Sequence, residues 1–124
     1  MILHDNSGKE LNLSENVTLQ NAVTSASDGF VYQSINRNVT LTFEITGSSE
    51  TRTVNFEMAG PSGVFVPCTC SNILDPSILA TQTTGGNFTA PESWQVEVPA
   101  GWSFRARVSA VTGGTVSVRG KAVS

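Results

Sequence analysis

Between Gly101 and Ser124 the chain sets down two kinds of side chain in strict turn. Trp102, Phe104, Ala106, Val108 and Ala110 are apolar, and Ser103, Arg105, Arg107 and Ser109 between them are polar. A period of two places one kind on each face of an extended strand, so one face is buried and the other is wet. Thr112-Gly113-Gly114 has turn chemistry, and the alternation then resumes with Val116 and Val118 against Thr115, Ser117 and Arg119. Two alternating runs around a glycine-containing turn predict a β-hairpin. Inward residues must face inward residues, which requires a three-residue loop, Thr112-Gly113-Gly114. That loop pairs Ala110 with Val116 and Val108 with Val118, and it asks for a left-handed residue at Gly114. In this register Arg107 faces Arg119 and Arg105 faces Lys121 on the outer side. Such like-charged pairs need either acids on adjacent strands, with Glu44, Glu57 or Glu97 as candidates, or an acidic partner that meets a basic stripe.

The same period recurs upstream. Val39, Leu41, Phe43 and Ile45 alternate with Thr40, Thr42, Glu44 and Thr46. Gly47–Glu50 turns the chain, and Thr51–Met58 returns with Val54, Phe56 and Met58 on one face, which predicts a second hairpin. Shorter strands are expected at Val17–Leu19, Phe30–Tyr32, Val64–Val66 and Trp94–Val98. Pro67 belongs at a strand end or sheet edge, because it cannot donate to a ladder. Turn signals stand at Asp28-Gly29, at Gly60-Pro61-Ser62-Gly63, at Gly85-Gly86-Asn87 and at Pro99-Ala100-Gly101. Ser71–Thr84 reads either as one helical turn opened by Asp75-Pro76 or as a loop leading into a short strand over Ile78–Thr81. The sum is an all-β fold: a single β-sandwich, immunoglobulin-like or jelly-roll-like, of about seven or eight short antiparallel strands. Residues 1–15 lack periodicity and read as an N-terminal arm or a loose first strand. Residues 16–124 form the sandwich domain.

Composition narrows the function classes. A chain of 124 residues is expected to make one domain and can bury a real core. Only 14% of residues are charged and the net charge is −3, so no clustered basic excess points to nucleic acid. No apolar run is long enough to cross a membrane as a helix. The first ten residues lack the apolar core of a secretory signal, which leads us to expect synthesis in a cytoplasm.

Catalytic motifs are missing as well. There is no phosphate-binding glycine loop, no His-Glu-x-x-His and no Gly-x-Ser-x-Gly. A serine triad would have to use His4, the one histidine, which no strand pattern anchors. We expect no catalytic residues, no cofactor and no metal. Cys68 and Cys70 on one strand would hold their Cα atoms roughly 6.5–7 Å apart, at the limit for an unstrained disulfide. Two reduced thiols are the expectation, with a strained redox pair as the alternative. Trp94 and Trp102 fall in phase with Val96 and Phe104 and so belong to the core. Phe30 and Tyr32, beside a turn, are the aromatic candidates for an exposed contact with a partner, although the core or a protein interface is the more usual place for such rings. The basic candidates are Arg105, Arg107, Arg119 and Lys121.

Residues 104–122, Phe-Arg-Ala-Arg-Val-Ser-Ala-Val-Thr-Gly-Gly-Thr-Val-Ser-Val-Arg-Gly-Lys-Ala, resemble the C-terminal end of small structural proteins of tailed bacteriophages. Those chains close with an Arg-x-Arg-Val strand, a glycine-containing turn and a Thr-Val-x-Val strand. Upstream, Phe56-Glu57, Val66-Pro67, Asp75 and Leu79-Ala80-Thr81 before a glycine-rich loop follow the same layout. The resemblance implies a non-enzymatic virion protein with a β-sandwich fold. It also implies a capsid decoration (cementing) role on the head surface, or a place in the head-tail or tail structure. Its partner would be the major capsid protein or another virion protein, with a trimer as one compatible homo-oligomer, and its location the virion. A carbohydrate-binding or adhesin-type sandwich is the alternative, and a small hydrolase with two acids in a cleft comes after that.

Overall fold

The computed structural model describes residues 13–85 and 87–124. They form an all-β sandwich of two antiparallel sheets. The strands are β1 (Ser14–Val23), β2 (Tyr32–Gln33), β3 (Val39–Thr46), β4 (Thr51–Ala59), β5 (Phe65–Pro67), β6 (Cys70–Asn72), β7 (Leu79–Ala80), β8 (Glu92–Val98), β9 (Ser103–Thr112) and β10 (Val116–Val123). One sheet has the order β1-β10-β3-β8-β6-β7 and the other β2-β9-β4-β5. The count exceeds the expected seven or eight because several strands have only two or three residues, too few to show a period. Ser71–Thr84 supplies two of these, β6 and β7, joined through the Asp75–Ile78 turn. Pro67 ends β5, an edge strand, where its missing N–H costs nothing. Ser14 and Glu15, expected in an arm or a loose first strand, lie in β1, opposite Val123 and Ala122. Residues 1–12 of that expected segment lie outside the described residues.

Neither expected hairpin forms. β3 and β4 belong to different sheets, and so do β9 and β10. Each glycine-containing loop is an arch that carries the chain from one layer to the other. The in-sheet partners are exchanged between the arches: β3 pairs with β10 and β4 with β9. Thus Val118 faces Ile45, and Val108 faces Val54. The pairings of Ala110 with Val116 and of Arg107 with Arg119 do not occur. Alternation is equally satisfied by either connection, since both keep the apolar set inside. The arch tips are hydrogen-bonded to each other: Ser49 N–H donates to the Thr115 carbonyl at 3.1 Å, and Glu50 N–H to the Thr112 carbonyl at 2.9 Å. Gly114 sits at φ +148°, outside the left-handed helical region expected for it, and Gly113 at +69° takes that role. A Cβ on Gly114 would lie 2.5 Å from the Ser48 carbonyl oxygen, so the tips can nest only around glycine.

Two further departures follow from local geometry. A β-bulge at Ser109, between the Val54–Val108 and Thr53–Ala110 pairs, flips the phase of β9. Ala110 is therefore exposed, and Val111 turns toward the interior. Trp102 precedes β9, in a turn where its N–H donates to the Pro99 carbonyl. Its ring lies against Gly60 and stays 37% exposed, so it is not the core residue its phase suggested.

The core runs between the sheets. Phe43 and Trp94 from one layer meet Phe56 and Phe104 from the other, with ring centroids 5.2–5.4 Å apart for Phe56–Trp94, Phe43–Phe56 and Phe43–Phe104. Such edge and tilted contacts add to the apolar burial that holds the layers together. Gln20 also bridges the layers. Its buried amide, on β1, donates to the Ala106 carbonyl of β9 and to the Ser27 carbonyl, both at 2.9 Å.

Candidate functional site

The six candidate partner residues do not converge. Arg105 and Arg107 stand on the outer face of the four-stranded sheet; Arg119 and Lys121 stand on β10, in the other sheet. A single basic stripe is therefore ruled out by the arch connection. Phe30 is 56% exposed, but Tyr32 is only 4% exposed, at the sandwich edge where β2 pairs with β9. Burial there follows from the β2 ladder and from Glu15 on β1, whose carboxylate hydrogen-bonds the phenol.

Arg105 and Arg107 are occupied by Glu57. Arg105 Nε and Arg107 Nε donate to Glu57 Oε1 at 2.8 and 3.0 Å, and Arg107 Nη2 donates to Oε2 at 3.1 Å. The register places Glu57 directly opposite Arg105, so one acid serves both cations, as the neighbouring-acid reading of the sequence allowed. The Arg107 bonds, followed by those of Arg105, hold the Glu57 carboxyl below its usual range against the opposing effect of burial. Phe65 of β5 lies beneath Arg105, with its ring centroid 4.0 Å from the guanidinium carbon. Asp28 adds a distant carboxylate at 3.9 Å. On the other sheet, Arg119 Nη2 donates to Asn21 Oδ1 at 2.8 Å, and Lys121 is exposed.

A second charged pair is interior. Arg52 is in phase with Val54, Phe56 and Met58, so β4 carries it inward, and its side chain is fully buried. Its guanidinium donates to the carbonyls of Asn87 and Ala90 at 3.0 and 2.9 Å and lies 3.8 Å from the Glu92 carboxylate. Glu92 in turn accepts from the N–H and hydroxyl of Thr84, both at 3.1 Å. Desolvation pulls the Arg52 pKa down, and Glu92 opposes it. The pair ties the 83–91 connection onto the end of the sandwich. Sequence reasoning missed it, although the phase of β4 carried the signal.

Glu92 lines an open groove of about 610 Å³ between the β6–β7 turn and the 84–93 segment. It is the one carboxylate in that lining, and Ile73 and Leu74 form the rim beside it. A group of exposed apolar side chains stands here. Ile73, Leu74, Ile78 and Leu79 are all exposed, and Leu74 is 95% exposed, which is unusual for leucine. Asp75 is the only charge in residues 71–84. Among the described residues, no cluster of His, Cys, Asp and Glu could hold a metal ion.

Comparison with known proteins gives the class first. The backbone matches the crystal structure of the SPBc2 prophage-derived protein YomS with a TM-score of 0.79 and 27% identity, over 92% of this chain and 96% of that one. It matches the crystal structure of the PBSX exported protein XepA with a TM-score of 0.79 and 25% identity, over 98% of this chain but 42% of that one. The molecule is thus a phage-associated β-sandwich, and it spans less than half the length of XepA. The sequence model of the XepA family matches residues 13–122, and the chain belongs to the XepA family. A search among curated protein sequences finds no match.

Proposed function

We propose that this protein is a non-enzymatic phage structural protein that works by docking on a protein surface, as a capsid decoration protein whose partner is the major capsid protein. One observation carries the reading: the largely apolar β6–β7 turn, with Asp75 its single charge and Leu74 95% exposed, projects at the margin of the six-stranded sheet. Apolar surface gathered in one place and left in water favours association. The ionisable clusters support the same reading, because Glu57 and Glu92 are committed to structural arginines. A rigid sandwich that presents a small contact many times over a particle gains strength from repetition. The carbohydrate-binding alternative has less support. Exposed Phe30, Phe88 and Trp102 stand on three different connections, and the ring pairs found join buried rings.

A second reading rests on the description of XepA as an exported protein: this chain would act outside the particle. The two are separated by purifying particles from a host that carries the gene and from one deleted for it. Decoration predicts the protein in the first particles and rebinding of added protein to the second, with Leu74→Asp weakening rebinding at least tenfold at an unchanged melting temperature. Protein found only in particle-free supernatant, with no rebinding, overturns decoration and favours the exported reading.

A further inference from the structure

Cys68 and Cys70 do not lie on one strand. The chain leaves the four-stranded sheet at Pro67 and enters the six-stranded sheet at Cys70, so Cys68 and Thr69 form the crossover. The spacing that holds same-strand Cα atoms too far apart for a disulfide therefore does not apply here. Cys68 N–H is anchored to the Phe56 carbonyl at 2.8 Å, and Cys70 is held in the β6 ladder opposite Ala80. Between these two anchors Cys70 Sγ reaches back to the Cys68 carbonyl at 4.0 Å and Cys68 Sγ to the Thr69 carbonyl at 3.9 Å, so both thiols are held over the same two-residue crossover and are near enough to perturb each other's ionisation. Their exposures differ: Cys68 is partly exposed, while Cys70 is 1% exposed within the core.

We propose that Cys68 and Cys70 are a redox pair that closes to an intramolecular disulfide across Thr69 when the protein meets a disulfide oxidant, with Cys68 as the attacking thiol and Cys70 as the resolving one. The partner is a small or protein disulfide of the glutathione class. Cys68 loses its proton to solvent, and its thiolate attacks one sulfur of the oxidant. The oxidant S–S bond breaks, one thiolate leaves, and a mixed disulfide forms at Cys68. Cys70 then loses its proton, attacks the Cys68 sulfur and expels the second thiolate. Both leaving thiolates take up a proton. Two protein thiols become one disulfide, and one oxidant disulfide becomes two thiols.

Environment assigns the order of the two steps. Interaction with the neighbouring Cys70 thiol holds the Cys68 thiol below its usual pKa, and Cys68 is the more exposed of the two, so Cys68 ionises first. The same interaction, then burial, then the Cys68 charge push the Cys70 thiol upward. Once Cys68 is in a mixed disulfide, its charge is gone and burial alone opposes Cys70. The resolving thiol is thereby released by the first step, beside the sulfur it must attack.

The test uses the full chain, native, treated with oxidised glutathione and quenched with an acidified alkylating agent before intact-mass measurement. Wild type should lose two hydrogens in mass, accept no alkyl group and recover both thiols on reduction. Cys70→Ser should hold one stable glutathionyl group, and Cys68→Ser should gain none while native. A persistent glutathionyl adduct on wild type overturns the proposal. So do two thiols that stay free until denaturant is added, or disulfide-linked dimers. The wild-type mass decides even if a variant fails to fold.

Discussion

Tyr32 shows how little one residue's neighbours in sequence say about its surroundings. Its place near the Asp28-Gly29 turn left a partner contact and the core both open, and it is buried against β9 with its hydroxyl toward Glu15. Burial first, and then the Glu15 charge and hydrogen bond, disfavour the phenolate and push the pKa up to about 12. The folded value lies above the ordinary value of about 10, so this group favours the fold at every pH below about 10. That contribution is lost as the pH rises from about 10 to about 12. Tyr32 is the single tyrosine, so near-ultraviolet absorbance of the phenolate reports on it alone. An alkaline titration of the native protein should have its midpoint near 12, and Glu15→Gln should lower it. A midpoint at the ordinary value in folded wild type would show that the ring is wet. The charged candidates divide the same way. Glu57 could be named in advance as one of three acids able to serve Arg105 and Arg107. The sharing of one carboxylate by both arginines depends on the β4–β9 register, which no residue type announces.

At the level of elements, the inside and outside of each long strand were legible, and the connections were not. Val39–Ile45 and Phe104–Val108 bury the faces their alternation assigns. Alternation states which way a side chain points, however, and is silent about which strand lies alongside. Gly47–Glu50 and Thr112–Thr115 could have closed hairpins. They arch instead because each tip finds its hydrogen-bond partners on the other. The short strands β2, β6 and β7 escape any period, and the Ser109 bulge moves Ala110 out of phase without a glycine to mark it. Gly120 is the residue through which the true neighbour of β10 can be read. It stands opposite Phe43 on β3 and Val17 on β1, and a Cβ there would meet the Thr42 carbonyl oxygen at 2.2 Å and Phe43 Cβ at 2.8 Å. In a β9–β10 hairpin, no such conflict with β3 would exist. Gly120→Ala should therefore destabilise the protein by about 2 kcal/mol, seen as a lower urea midpoint with an unchanged slope. Tolerance of alanine at 120 would contradict the β10–β3 pairing.

For the molecule as a whole, the arch topology makes the last strand a central one. β10 is inserted between β1 and β3, hydrogen-bonded on both sides over most of its length. Val116, Val118 and Ala122 complete the floor of the core, and Ser124 closes the edge through bonds with Leu13. Without β10, β1 loses its in-sheet partner, and β3 exposes a ladder edge in the middle of the layer. The Gln20 bridge to Ala106 would then hang from a detached strand. In the hairpin arrangement that the sequence suggested, by contrast, the same deletion would remove one outer strand and leave the others paired. A chain ending at Gly114 should accordingly fail to fold, whereas removal of Ser124 alone should cost only the edge bonds. Amide dispersion in a proton–nitrogen NMR spectrum distinguishes the outcomes: collapse of dispersion in the 1–114 chain follows from a central β10, and native-like dispersion would refute it. Because β10 must enter the middle of a sheet between β1 and β3, both distant from it in sequence, the six-stranded sheet is completed only through long-range pairing. Folding of the intact protein should therefore be slow for its size, in the millisecond-to-second range expected of such topologies.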